Sequence, residues 1–530
     1  MRTLTRVAAL LAAGTCVVTS MAACSSGSTT SGGSNDALTV NVGQPATTLD
    51  PAFGYDASSL GLLQNFYVRL TSFGPKPGPE GTTQFDPVKV TPYLAKSWVI
   101  SDDGKTYTFK LNKASFSDGS PITAAAVKAS LERVLTAGGT GKIILTGDQD
   151  GFYKSIEAPA DDTLVLNISR PYPPLLSILA SPWSSIVDSK VVAQNGGDTK
   201  GSPNKWMTTH IAGGGGPFTL ESYTASVGAV AVRNPKFFGE APKVGKINLN
   251  FTSSDVTLAL QARNGQADVT IGMSKTSATS LKGDPNLRVA AFDTDTTKRI
   301  GFVTTTAPFD NKKFRTALTY AIDYEGIRAQ VNKGYGSLLF GPWATTIPDF
   351  DTSLAQPRKT DMDKAAALLK ESGVKLPVTV QMAVQNDNST DTQIATIVQN
   401  EWKPLGVNVE VVKLSAADIV AALSSRRYPT FVRNNGGFVY SAIYDYADDL
   451  KCGTPSNTTN LCIKEADQFA VQAAAETDQA KRQQLLNQIV TLVNDEAPFA
   501  SAYQDQAVVV LGKRVKNYFY SVVMDFMTWA

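Results

Sequence analysis

Pro92-Tyr93-Leu94-Ala95-Lys96-Ser97-Trp98, followed by Ser101-Asp102-Asp103-Gly104-Lys105-Thr106-Tyr107-Thr108-Phe109-Lys110-Leu111, is the stretch that decides the architecture. Asp102-Asp103-Gly104 supplies the residue types of a tight turn. After it Tyr107, Phe109 and Leu111 alternate with Thr106, Thr108 and Lys110, the period of a half-buried strand. Phe116-Ser117-Asp118-Gly119-Ser120-Pro121-Ile122-Thr123-Ala124 comes next, with Asp118-Gly119 as a second turn. Thr123 can then cap a helix whose apolar positions Val127, Leu131, Val134 and Leu135 fall at i, i+4, i+7 and i+8.

The same mixture extends in both directions. Leu38, Val40 and Val42 alternate with polar residues and predict an opening strand. Leu164, Leu166 and Ile168 predict another, stopped by Pro171, Pro173 and Pro174. Phe314, Ala317, Leu318, Ala321 and Ile322 follow helical spacing after Asp310-Asn311. Asp363 to Ser372 predicts a helix ended by Gly373, and Leu485, Ile489, Leu492 and Val493 form one helical face ended at Pro498. There is no internal repeat. The class is α/β or α+β, in more than one domain.

The N-terminus has the pattern of an export signal. Arg2 and Arg6 form a basic n-region, and Val7 to Val18 an apolar stretch too short and too rich in small residues to span a bilayer. Met21-Ala22-Ala23-Cys24 resembles a lipobox, with Met in place of the usual Leu, and predicts cleavage after residue 23 and lipidation of Cys24. Residues 24–37 are predicted to be a lipidated tether. Its Ser25 to Asp36 part has no aliphatic or aromatic residue, and a flexible chain of that length reaches about 20 Å. The predicted location is the extracytoplasmic face of the cell membrane, with contact to the membrane through the lipid alone.

The whole chain has 49 basic and 47 acidic residues. Without Arg2 and Arg6 the count is 47 against 47, so nothing in the charge favours nucleic acid or an anionic surface. The chain carries four cysteines: Cys16 leaves with the signal and Cys24 takes the lipid. Cys452 and Cys462 remain in an exported chain, where a disulfide is the natural state. No His lies near them, which disfavours a zinc reading. The 530 − 23 = 507 residues of the mature chain predict two or three domains.

Signs of catalysis are lacking. His210 is the one histidine, and no Gly-x-Ser-x-Gly elbow is present. Gly213 to Gly216 is not followed by Lys-Ser/Thr, so it is a turn before a strand at Phe218 rather than a phosphate loop. Asp161-Asp162 and Asp448-Asp449 suit solvated turns better than an acid–base pair. The expectation is a binding protein, not an enzyme, with no cofactor and no metal.

The stretches quoted first look like the signature of the family 5 extracytoplasmic solute-binding proteins, the peptide- and nickel-type binding components of ABC importers. Leu49-Asp50-Pro51 is similar to that family's early motif. Gly216-Pro217-Phe218 resembles its Gly-Thr-Gly-Pro-Phe, with Gly215 replacing Thr, and Arg233-Asn234-Pro235 follows. Phe309-Asp310-Asn311-Lys312-Lys313-Phe314-Arg315, with Ala317-Leu318 and Ala321-Ile322-Asp323, matches a further block. Asn460 to Asp467 and Ala497-Pro498 match the C-terminal part. The resemblance covers essentially the whole mature chain.

It implies a periplasmic-binding-protein-like type II α/β fold, of two lobes in three domains. Domain I would combine 38–70, 207–305 and 499–530; domain II would be 71–206; domain III 306–498. It also implies a monomer that closes its lobes on a small solute, typically a peptide, and delivers it to a permease and ATPase. In peptide-binding relatives an Asp of domain III takes the α-amino group, within a motif resembling Gly-Trp-x-x-Asp-Tyr-Pro. Alignment through Tyr428-Pro429 and Arg433 places Gly436 at the Trp and Val439 at the Asp, with Tyr440 next. A second register puts Asp445-Tyr446 on the Asp-Tyr, with Ala442 at the Trp. The candidate ligand residues are therefore Asp445, Tyr446, Tyr440, Asn435, Gly436 and Tyr55, with Asp445 as the amine partner. The altered motif keeps a non-peptide solute, a glycoconjugate or opine-like compound, as the alternative, along with a role as a surface ligand sensor. Nickel is disfavoured by the single histidine.

Overall fold

The computed structural model describes residues 36–147, 151–436, 439–521 and 523–529. The segments read from the sequence as a signal (1–23), a lipidated Cys24 and a tether lie outside them up to residue 35.

Among the described residues, ten strands form one large sheet. They are β1 (Ala37–Val42), β2 (Phe218–Thr224), β3 (Gly228–Arg233), β4 (Lys246–Phe251), β5 (Val269–Ile271), β6 (Leu287–Phe302), β7 (Val378–Gln385), β8 (Val407–Leu414), β9 (Thr430–Asn435) and β10 (Phe499–Gly512). Their order is β8-β7-β9-β6-β10-β5-β1-β4-β3-β2. The two central strands are the longest, 16 and 14 residues, so β6 spans about 50 Å at 3.3 Å per residue. They pair antiparallel, Leu287 to Asp293 opposite Gly512 to Gln506 and Thr297 to Gly301 opposite Gln504 to Phe499. Between the two runs the register shifts, and Thr294 to Thr296 bulge out of the ladder. One run carries β9, β7 and β8 on its flank; the other carries β5, β1 and β4.

Each side of the bulge has its own core. Ile300, Phe302, Phe314, Met382, Val398 and Trp402 pack together on one side. On the other, Val40, Leu49, Phe66, Phe109 and Leu164 belong to a larger cluster that also takes in Tyr440, Tyr444 and Ile489. Helix α1 (Ala57–Phe66) is capped by Asp56 and almost wholly buried.

The opening stretch forms what its pattern predicts. Ala95–Ile100, Thr106–Leu111, Thr163–Ile168 and Tyr153–Ala160 make a four-stranded antiparallel sheet. Tyr107, Phe109 and Leu111 are buried on it. Thr123 caps α2 (Ala124–Ala137), accepting from the Ala126 amide at 3.4 Å. Gly373 ends the Met362–Ser372 helix in the left-handed conformation, where lack of a Cβ carries no penalty.

Helix α3 (Ser389–Trp402) holds an acid in a costly place. Glu401 Oε1 accepts from the Asp323 amide at 3.1 Å, while Oε2 is buried with no partner among the described residues. Burial, reinforced by nearby Asp323, pushes the Glu401 carboxyl up to about 7. An unfolded glutamate titrates near 4.3, so the folded form holds the extra proton between the two values. Stability is therefore fully present at acid pH and falls as pH rises through 7. Glu401→Gln is expected to remove this slope and to stabilise the protein at pH 8 by about 1–2 kcal/mol. Urea midpoints of both proteins at pH 5 and pH 8 measure it; parallel pH dependence would contradict it.

Candidate interlobe binding site

Where β6 and β10 change register, a cavity of about 440 Å³ opens. Its walls come from segments far apart in the chain: Gly43 after β1, Ser58 of α1, Met273 and Lys275 after β5, Thr294 and Thr296 of the bulge, Asn434 of β9, and Tyr520 near the C-terminus. A second cavity of about 310 Å³ shares Met273, Lys275, Asn434 and Asp505 with it.

The bulge is held by side chains that replace the missing ladder bonds. Gln504, fully buried, donates from Nε2 to the Thr294 carbonyl at 2.8 Å and accepts from the Thr345 amide and hydroxyl. Asp505 Oδ1 accepts from Lys275 Nζ at 2.9 Å and from Asn332 Nδ2 at 3.0 Å. Lys275 follows β5 on one side of the bulge and Asn332 lies on the other, so this one carboxylate ties the two sides at the cavity mouth.

Beyond β9 the chain enters α4 (Ala442–Asp449), capped by Ser441. Gly436 is needed here: a Cβ would lie 2.6 Å from Thr296 Cα and 2.7 Å from the Asp295 carbonyl oxygen. Asp449 is buried, not a solvated turn residue as its sequence suggests. It accepts from Arg299 Nη1 at 2.6 Å and Arg433 Nη2 at 2.8 Å. Its neighbour Asp448 is exposed.

Asp445 is nine-tenths buried, yet its carboxylate accepts no hydrogen bond among the described residues. Burial first, then the nearby Asp295 and Asp449, hold this carboxyl well above the usual range, and Arg299 offsets only part of that. A cation brought beside it would favour its ionised form. Asp445 does not line either cavity, but Asp295 beside it sits between the lining residues Thr294 and Thr296.

The other sequence candidates fall in different places. Tyr440 is buried, with its ring edge-on to Phe85 at 5.0 Å and its hydroxyl near Asp295 and Tyr520. Asn435 Oδ1 accepts from Arg433 Nη2. Tyr446 turns to the Lys464–Ala475 helix, donating to Asp467 at 2.8 Å. Tyr55 is 62 % exposed and lines neither cavity. Cys452 and Cys462 are joined, with Cα atoms 4.6 Å apart, in the segment after α4. Thr294, Gln504, Asp505 and Lys275 carry no mark in the sequence. Each is an ordinary polar residue whose importance comes only from the pairing of strands about 200 residues apart.

Known proteins resemble this chain in sequence and in fold. The family model for bacterial extracellular solute-binding proteins, family 5 Middle, matches residues 89–457. The chain is 26 % identical over 497 residues to the probable D,D-dipeptide-binding periplasmic protein DdpA of Escherichia coli K12, covering 92 % of each. It is 24 % identical to the glutathione-binding protein GsiB of the same organism, covering 91 % of each. Among solved structures, the Helicobacter pylori ABC transporter-associated periplasmic binding protein DppA, in complex with the peptide STSA, superposes with a TM-score of 0.78. The two are 20 % identical over 93 % of this chain and 97 % of that one. AgaA from A. tumefaciens R10, in complex with agropinic acid, gives 0.74 at 23 % identity over 90 % and 94 %. With its match over most of its length, this chain belongs to the bacterial extracellular solute-binding proteins of family 5.

Proposed function

We propose that this chain is the solute-capturing lipoprotein of an ABC importer, anchored through Cys24, and that it binds a peptide or peptide-like solute with a free ammonium group. The observation that carries the reading is Asp445, a buried carboxylate with no hydrogen-bonded partner among the described residues, beside the cavity wall. An ammonium ion brought next to it would favour the ionised form that burial and the neighbouring acids otherwise disfavour. Closure excludes water and strengthens that contact. The names of DdpA and GsiB, and the peptide bound to DppA, support the same solute class. The three-domain division at 70/71, 206/207, 305/306 and 498/499, and delivery to a permease, are parts of this proposal.

A second reading, a non-peptide organic solute, is favoured by Val439 at the position where one register expects the motif's Asp. The agropinic acid held by AgaA belongs to that class. Thermal unfolding with a dipeptide panel, its N-acetylated counterparts and a set of opine-like compounds separates the two. Free dipeptides are expected to raise the midpoint and acetylated ones to fail. No shift from any peptide, together with a shift from an opine-like compound, would sink the peptide reading.

A further inference from the structure

The end of the large sheet away from the bulge carries another cavity, of about 300 Å³. It lies where β6 begins, β10 ends and the chain enters β5: Leu287 pairs with Gly512 there, and the Gly512 amide donates to the Asp268 carbonyl at 2.7 Å. Three cations line it, Arg263, Lys513 and Arg514, against one acid, Asp268. Asp268 is buried and already faces Arg514, Oδ1 to Nε at 3.3 Å. Arg263 and Lys513 are exposed, and their partners are neutral: Arg263 donates to the Ser280 carbonyl at 3.3 Å and Lys513 to the Asn286 side chain at 3.1 Å. Lys516, exposed beside them, donates to the Lys513 carbonyl at 3.2 Å. Of the other acids close by, Asp284 accepts from the Asn286 amide at 2.9 Å and Asp36 from Arg233 at 3.1 Å. Without Arg2 and Arg6 the charges of the chain balance overall, yet this corner is positive.

Two further features mark the same corner. Arg514 Nη2 donates to the Ala37 carbonyl at 2.8 Å, so the cavity borders the point where the described chain begins and the tether read from the sequence joins the fold. Leu260 is 53 % exposed and stands one turn before Arg263, on the same side of the Asp255–Arg263 helix. Cations around an exposed apolar side chain suit a lipid surface, where charge meets anionic headgroups and the apolar group enters the boundary beneath them.

We propose that this corner docks on anionic phospholipid and seats the folded chain on the membrane. The inference goes beyond solute capture and rests on the anchored-lipoprotein reading only for bringing a membrane within reach. The sequence predicts contact through the lipid alone; the corner adds a second contact. A few surface cations bind such a membrane weakly, but a tether reaching about 20 Å holds them near it and makes a weak contact effective. The bulge lies six residues further along β6, about 20 Å from the docked end, so the cavity there stays clear of the lipid.

The test uses the chain from residue 24, which contains every described element, with Cys24→Ser so that no lipid contributes. The probes are vesicles of phosphatidylcholine alone and vesicles with about one-third phosphatidylglycerol, read by co-sedimentation. This parent chain is expected to bind the anionic vesicles at least tenfold more tightly than the neutral ones, and to be released as salt rises from about 0.1 M to about 0.5 M. Arg263→Glu/Lys513→Glu is expected to weaken binding to the anionic vesicles at least tenfold, and Leu260→Ser at least threefold, both with the parent's melting midpoint. Lys375→Glu/Lys413→Glu makes the same change in net charge with exposed residues at β7 and β8, on the opposite flank of the sheet, and is expected to bind as the parent does. Equal binding to both vesicles, undiminished binding by either corner variant, an equal loss in the Lys375/Lys413 variant, or a midpoint raised by inorganic phosphate without vesicle binding each overturns the proposal. Failure of the anchor reading is seen separately, as Cys24 without lipid in mass spectra of the protein from its host while the difference between vesicles persists.

Discussion

Asp445→Asn is expected to lower affinity for an ammonium-bearing solute at least 100-fold while leaving the ligand-free protein as stable as wild type, or more so, above neutral pH. The two effects have opposite signs, and both follow from one buried carboxylate. A charge-assisted contact in a desolvated site is worth about 2–5 kcal/mol when one partner is removed, and the neutral amide cannot replace it. Without ligand, the Asp445 carboxyl is held above its ordinary range by burial and by Asp295 and Asp449. Its contribution to stability is thus complete below the ordinary carboxylate range and is lost as pH rises towards the elevated folded value. The amide variant lacks that loss. A second signature accompanies binding: an ammonium ion beside Asp445 lowers its pKa, so wild type releases a proton that the amide variant does not carry. Calorimetry in two buffers of different ionisation enthalpy reads that proton directly. Equal affinity of variant and wild type would remove Asp445 from the site.

Asp50→Ala is expected to destabilise the fold by about 3–5 kcal/mol, because it removes the buried partner of a cation together with the acceptor of two backbone amides. Asp50 is fully buried and bidentate to Arg133 of α2, with both contacts at 2.8 Å. It also accepts from the Asn204 and Ala52 amides at 3.0 and 3.1 Å. Arg133 keeps Asp198 as its acidic partner when Asp50 is gone. One side chain therefore fastens the residues before α1, helix α2 and the segment before β2. The double variant Asp50→Leu/Arg133→Met is expected to recover much of the loss, since an apolar pair is often neutral relative to a buried ion pair. Chemical denaturation of Asp50→Leu, Arg133→Met and the double variant completes the cycle; an additive outcome would mean that the two side chains act independently.

These two residues mark how far the sequence can be read. Leu49-Asp50-Pro51 stands out as a family motif, but its work is structural and appears only when Arg133, 83 residues on, is set against it. Local periodicity is legible: the Thr106–Leu111 strand, the Thr123 cap and the Gly373 stop each depend on neighbours within a few residues. The site does not. Asp449 reads as a surface acid because its partner Arg299 lies 150 residues away. The same distance hides the contrast between Asp449, paired twice, and Asp445, whose carboxylate accepts no hydrogen bond among the described residues. The cationic corner is equally invisible, since Arg263 is a lone charge far along the chain from Lys513 and Arg514 until β5, β6 and β10 converge.

Strands β6 and β10 pass without interruption from one core to the other. Melting either core would strip hydrogen-bonding partners from backbone that the surviving core still needs. Each half therefore underwrites the other's folding, and the molecule has little access to states with one half intact and the other lost. A solute-binding protein gains from this. Partly unfolded states, the ones a protease can cut, are kept scarce by the two shared strands.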